Sequence, residues 1–167
     1  ISYSFSLKKY LNDNNNSETI FHVHNLWNYI PYIAYKVAYK RDVKLVFSVR
    51  GSLYPWSLSQ SKKKKKIAWV FFQKRALNSA SSIHVTHISE LKAVRNLGIT
   101  APIAIIPNGV SLKEFSYHKE KISAKKDLRL NIQKKYILFI SRIHPKKGLD
   151  LLIKSWINLN IKYPDWD

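Results

Sequence analysis

Short apolar runs alternate along this chain with longer stretches whose apolar residues recur at helical spacing. Ile20 to His24, Val43 to Val49, Ile83 to Val85 and Ile103 to Ile106 read as strands. Trp27 to Tyr39 brings Ile30, Ile33, Ala34, Val37 and Ala38 to one side of a helix. Ser61 to Ala80 predicts a long helix that opens with five lysines, and Ser89 to Leu97 a shorter one stopped at Gly98. Strands alternating with helices imply βαβ units and a mostly parallel sheet. The polar NDNNNSE within residues 1–19 reads as a loop after the remnant of a short helix or strand. RGSLYPW reads as a turn-rich loop around Gly51 and Pro55.

A second such unit follows a break in composition. Residues 111–134 are charged and carry almost no periodic hydrophobicity, which marks a linker. Tyr136 to Ser141 is then an almost wholly apolar run that fits a strand buried on both faces. Leu149, Leu152, Ile153 and Trp156 repeat at the spacing of one helical face. The expected organisation is two Rossmann-like domains, both incomplete. Residues 1–110 would be the latter part of the first, 111–134 the linker, and 135–167 the first βα unit of the second. A lone βα unit cannot cover both faces of a sheet, so residues 135–167 should be unstable by themselves or dock elsewhere.

Between that strand and that helix, Arg142, Lys146 and Lys147 crowd into a loop closed by Gly148. Ligands of open α/β sheets bind at the carboxyl ends of the strands. A helix start there offers free N–H groups and a positive dipole end, which suit a diphosphate. Arg142 can grip it bidentately and a lysine can reach it as a mobile point charge. In a lysine-rich chain the same residues also read as a solvated basic loop.

The formal charge of +19 over 167 residues admits nucleic acid, anionic lipid or a phosphorylated small substrate as partner. The basic residues are spread along the chain, with no zinc-finger spacing, zipper heptads or RNA-binding aromatic motif, which argues against nucleic acid. The hydrophobic fraction of 46% is that of a globular protein. Without Cys there is no disulfide, thiolate zinc site or cysteine nucleophile, in keeping with a reducing, cytoplasmic setting. No apolar run reaches the roughly 18–20 residues that span a bilayer, so attachment to the inner face of a membrane would be peripheral. With no Met and an opening ISYSFS, residue 1 reads as something other than a natural start.

Several segments together resemble the retaining glycosyltransferases of family 4, of the polysaccharide-biosynthesis type. HVHNLWNYIPY is similar to the family's HxHxxW segment, and SVRGSLYPWSL to a loop of the form S-P-(H/R)-G-M-L-x-P-W. QKRALNSASSIHVTHISELKAVRNLGI with IAIIPNGV resembles the end of the family's first domain, and YILFISRIHPKKGLDLLIKSW the start of its second. Val49 stands where the family often has proline, and His87 departs from the usual small or acidic helix start. The family's glycine-rich loop and its E-x7-E segment have no counterpart here, so the chain is expected to be a fragment, inactive alone.

The resemblance implies a GT-B fold and transfer of a sugar from a nucleotide-sugar donor to a glycan or lipid-linked acceptor, with retention. It implies no metal and no cofactor beyond the donor. Arg142 and Lys147 would hold the departing diphosphate as the catalytic pair, with Gly148 beside them. His24, Arg50, Gly51 and Asn108 would face the cleft on the acceptor side. Arg50 is assigned to binding, since a guanidinium is too weak an acid to exchange protons, and Asn108–Gly109 is first of all a turn. His22 and His24 share one side of a strand, either as a pair able to coordinate metal, for which no third ligand at sensible spacing appears, or as partly buried, hydrogen-bonded histidines. Lys62, Lys63, Lys64, Lys65 and Lys66, followed by Ile67, Trp69, Val70, Phe71 and Phe72, suggest a surface for anionic lipid or a solvated turn before a core-facing stripe. Two other readings stand beside transfer: a basic nucleic-acid- or membrane-binding module, and a nucleotide-sugar epimerase on the same fold.

Overall fold

A computed structural model describes residues 4–16, 18–115 and 120–167, so residues 1–3 of the opening segment and 116–119 of the expected linker lie outside the described residues. It divides into two units, Ile1–Gly109 and Val110–Asp167. In the first, α1 (Phe5–Asp13) precedes β1 (Ile20–His24), α2 (Tyr29–Arg41) and β2 (Lys44–Ser48). Then come α3 (Pro55–Ser59), α4 (Lys62–Ala68), a π-helical turn (Trp69–Gln73) and α5 (Lys74–Asn78). β3 (Ser82–Val85), α6 (Ile88–Asn96) and β4 (Ile103–Ile105) complete it.

The four strands are parallel and ordered β1-β2-β3-β4, the order of the chain. Right-handed crossovers that always step the same way return every helix to one side of the sheet. The burial pattern agrees. Phe21 and Val23 of β1, Leu45 and Phe47 of β2, and Ile83 and Val85 of β3 are buried with Ile33, Ala34 and Val37 of α2, Ala76 and Leu77 of α5, and Val94 of α6. Each fully buried aliphatic or aromatic side chain here contributes about 1.5–3 kcal/mol. The opposite side carries His22 and His24 of β1, Lys44, Val46 and Ser48 of β2, and Ser82 and His84 of β3. That parity puts three histidines on the uncovered surface of the sheet.

The helix expected over Ser61–Ala80 runs from Lys62 to Asn78 and contains a π turn, where the Lys74 amide donates to the Trp69 carbonyl five residues back. α3 was expected as loop. Pro55 starts it at the first helical turn, where its missing N–H removes no bond.

The second unit holds α7 (Leu112–Phe115), α8 (Lys121–Asp127), a 3-10 turn (Pro145–Lys147) and α9 (Leu149–Asn160). Two short helices thus lie where the sequence reads as linker. The strand expected over Tyr136–Ser141 does not form. Pairing is limited to residues 135–137 against 165–167, through Lys135 N–H to the Asp165 carbonyl (2.8 Å), Ile137 N–H to the Asp167 carbonyl (2.8 Å) and a return bond from Asp167 N–H to Lys135 (2.8 Å). Beyond it Leu138 and Ile140 are 76% and 83% exposed. An apolar run becomes a parallel strand only with ladders beside it and layers over it. None of the described residues of this unit is buried.

Candidate functional site

Two loops of the first unit, at the carboxyl ends of β2 and β3, are locked together by one buried carboxylate. Glu90 on α6 is 2% exposed. One of its oxygens accepts from the backbone N–H of Gly51. The other accepts from the N–H of Thr86 (2.8 Å) and from its hydroxyl (3.2 Å). Arg50 and Gly51 both take left-handed backbone, at φ 47° and 70°. For Gly51 the choice of residue is forced twice, because a β-carbon would also lie 3.3 Å from the Tyr54 ring.

That turn aims Arg50 across the sheet end, where its guanidinium donates to the side-chain oxygen of Asn108, 58 residues along the chain. Two of the expected cleft residues are thereby joined directly. Gly51 follows Arg50 in the same turn, and His24 ends β1. His24, Arg50 and Asn108 are exposed and Gly51 is half-buried. The Asn25 N–H donates to the Ser48 carbonyl (2.9 Å), which ties the end of β1 to the end of β2.

The two departures from the family pattern each have a local reason. The Val49 N–H donates to the His84 carbonyl at 3.4 Å, a bond proline could not make. His87 caps α6, its Nδ1 accepting from the Ser89 N–H at 3.1 Å, the role a small polar residue would otherwise take.

Behind the exposed set lies a feature the sequence reading passed over. Ser48, wholly buried, sits 2.7 Å from Nε2 of His22 and 2.7 Å from Nδ1 of His84. The His84 Nε2 is 2.8 Å from the Ile106 carbonyl. The ring of His24 lies 4.4 Å from that of His22, tilted by 32°. Burial, then the charges of His24, His84 and Arg50, push His22 below the ordinary histidine range. Among the described residues no group of three or more His, Asp or Glu is placed to hold a metal ion. Strand parity was the signal available: positions 22 and 24, 46 and 48, and 82 and 84 fall on one side of adjacent strands.

In the second unit Arg142 and Lys147 flank the start of α9. Arg142 follows the extended segment and Lys147 ends the 3-10 turn. Both are exposed, and among the described residues neither side chain makes a hydrogen bond or ion pair. His144 caps the turn, its Nδ1 accepting from the Lys146 N–H at 3.2 Å. Gly148 precedes α9 at φ 66°. A β-carbon there would meet nothing closer than 3.8 Å, so backbone conformation rather than crowding calls for glycine. No side chain caps α9, whose first turn also contains Asp150. The free amides favour an anion and Asp150 opposes one.

The lysine segment presents a mixed surface. Ile67, Val70 and Phe71 are 59%, 73% and 79% exposed beside Lys63 and Lys66. Lys65 turns inward, donating to the Ser57 carbonyl and lying 5.5 Å over the Trp27 ring. No described helix is long and apolar enough to cross a membrane.

Comparison with known proteins gives the chain its family. Over 68 residues the chain is 35% identical to the lipopolysaccharide core biosynthesis mannosyltransferase LpsB of Rhizobium meliloti (strain 1021). That match covers 41% of this chain and 19% of that protein. The model of Glycosyltransferase Family 4 matches residues 1–114, the stretch that contains the parallel sheet, the Glu90 lock and the Arg50–Asn108 contact. The chain belongs to glycosyltransferase family 4.

Proposed function

We propose that this chain is part of an enzyme that moves a sugar from a nucleotide-sugar donor to a glycan or lipid-linked acceptor, with retention. The observation that carries the reading is the coincidence of the family match with a built surface. Within residues 1–114, Arg50 and Asn108 meet at the carboxyl ends of the strands, where open α/β sheets bind ligands. On this reading His24, Arg50, Gly51 and Asn108 position the acceptor. Arg142 and Lys147 neutralise the departing diphosphate without a metal. Glycosyl transfer asks for a stabilised leaving group, an oriented hydroxyl and exclusion of water. Two cations and a helix start serve the first need, and the Arg50–Asn108 pair the second.

Titration of the full-length enzyme that contains this chain with a panel of nucleotide sugars tests this, beginning with mannose donors because of the mannosyltransferase relative. Saturable binding, with a product that forms only when acceptor is added, is the expected result. A product without acceptor would identify an epimerase. Failure to bind any member of the panel would leave a module without this chemistry.

The reading also puts the reaction at an anionic membrane surface. Lys62, Lys63, Lys64 and Lys66 are exposed around the apolar Ile67, Val70 and Phe71, and each basic residue near such a surface contributes about 1 kcal/mol. Sedimentation with anionic vesicles should exceed that with neutral ones and decline as salt is added. Equal sedimentation with both would remove the membrane from the account.

A further inference from the structure

The bonds around Ser48 have a defined direction. The Ile106 carbonyl can only accept, so Nε2 of His84 carries a proton. When His84 is neutral, its Nδ1 is then a lone pair and must accept the Ser48 hydroxyl proton. Ser48 Oγ, having given its only proton that way, accepts from Nε2 of His22. His22 is left with a lone pair on Nδ1, which makes no hydrogen bond among the described residues. When instead His84 is cationic, its Nδ1–H donates to Ser48, the hydroxyl turns to Nε2 of His22, and His22 carries its proton on Nδ1. Adding a charge at one end thus rewrites the tautomer at the other, with Ser48 buried between them.

We propose that His22, Ser48 and His84 act as one proton-sharing relay. His22 is the group that meets a protic oxygen ligand at the exposed end, and Ser48 and His84 are positioning residues behind it. The assignment of that ligand as the acceptor hydroxyl rests on the transferase reading, while the relay itself does not. The transfer balances. The ligand's O–H proton passes to Nδ1 of His22, the Nε2 proton of His22 to Ser48, and the Ser48 hydroxyl proton to Nδ1 of His84. The ligand oxygen keeps the electron pair, and the positive charge ends on His84, against the Ile106 carbonyl.

The surroundings favour one stored proton over two. His24 stacks on His22 from the same strand, the His84 ring lies 6.1 Å away, and Arg50 adds its charge from the turn after β2. Lys44 shares this side of the sheet, two positions before Val46, which pairs with His22. Lys36, Lys40 and Arg41 of α2 are exposed, Arg95 of α6 donates to the carbonyls of Ile99 and Ala101, and the Glu90 carboxylate is taken up by Gly51 and Thr86. Two imidazolium ions bridged by one hydroxyl would face one another with no carboxylate between them.

Imidazole nitrogen NMR of the whole chain between pH 4.5 and 9 tests the relay. In the unsubstituted protein His22 and His84 should titrate in two separated steps that belong to the pair. During the first step, His22 should shift from the Nε2–H to the Nδ1–H tautomer. Ser48→Thr keeps the hydroxyl and should keep that pattern, whereas Ser48→Ala should leave two independent single-step titrations. Independent titration in the unsubstituted chain, with His22 staying Nε2–H until it becomes cationic, would overturn the proposal. Because this readout needs no substrate, failure of the relay is distinct from failure to bind nucleotide sugars.

Discussion

Replacing Glu90 by alanine lowers the stability of the first unit by about 3 kcal/mol, on the order of the loss of charge-assisted hydrogen bonds from a buried carboxylate. The carboxylate accepts from two backbone amides and one hydroxyl, and from α6 it joins the loops that follow β2 and β3. Alanine would leave the N–H groups of Gly51 and Thr86 facing a space with no acceptor, each a desolvated donor costing about 1–3 kcal/mol. Glu90→Gln keeps one carbonyl oxygen and can satisfy one of the two amides, so roughly half the loss is expected. Urea unfolding, followed by tryptophan fluorescence, would give the shift in midpoint. A change in either variant below about 0.5 kcal/mol, the range of ordinary surface substitutions, would mean that the carboxylate does not hold these loops. Arg50 rides on the same turn, so the alanine variant should also disorder the Arg50–Asn108 contact.

The second large effect concerns the cations at the start of α9. In the active enzyme Arg142→Ala and Lys147→Ala should each reduce turnover about 10- to 100-fold, the equivalent of one charge-assisted contact of about 1.5–3 kcal/mol realised in the transition state. Neither side chain is committed to a bond among the described residues, so neither substitution should weaken the fold. Arg142→Lys distinguishes bidentate grip from charge alone, because an ammonium keeps the charge and loses the planar fork. Steady-state kinetics against donor concentration is the measurement. Kinetics unchanged in both alanine variants would take the diphosphate away from this loop.

The outline of the first unit was legible because its strands are short apolar runs between turn residues, and each of the four lies within a residue or two of the expected span. Two features escaped for definable reasons. Over five residues a π turn hardly differs from an α turn in its hydrophobic pattern, so Trp69–Gln73 read as plain helix. Tyr136–Ser141 has the composition of a buried strand, but composition states only what a segment would do given neighbours, and here two residues' worth of ladder is all it finds.

The site divides along similar lines. Arg50, Gly51 and Asn108 could be singled out from the family pattern, and the structure adds that Arg50 and Asn108 touch. Ser48, His84 and Glu90 could not, since each is ordinary at its own position and gains meaning only from a partner 26 to 39 residues away. Strand parity narrows such pairings, but the register of the ladders decides them.

A sheet whose spatial order repeats its chain order also bears on how the unit is assembled. Each strand closes onto the one synthesised just before it, through a loop whose closure entropy grows only slowly with length. From β1 to β4, growth can therefore proceed by successive addition, without waiting for a distant strand to insert between two others. Local pairings of this kind favour fast formation. The tie from Arg50 to Asn108 spans 58 residues of chain, so it belongs among the final steps, when the end of β4 has already been laid down.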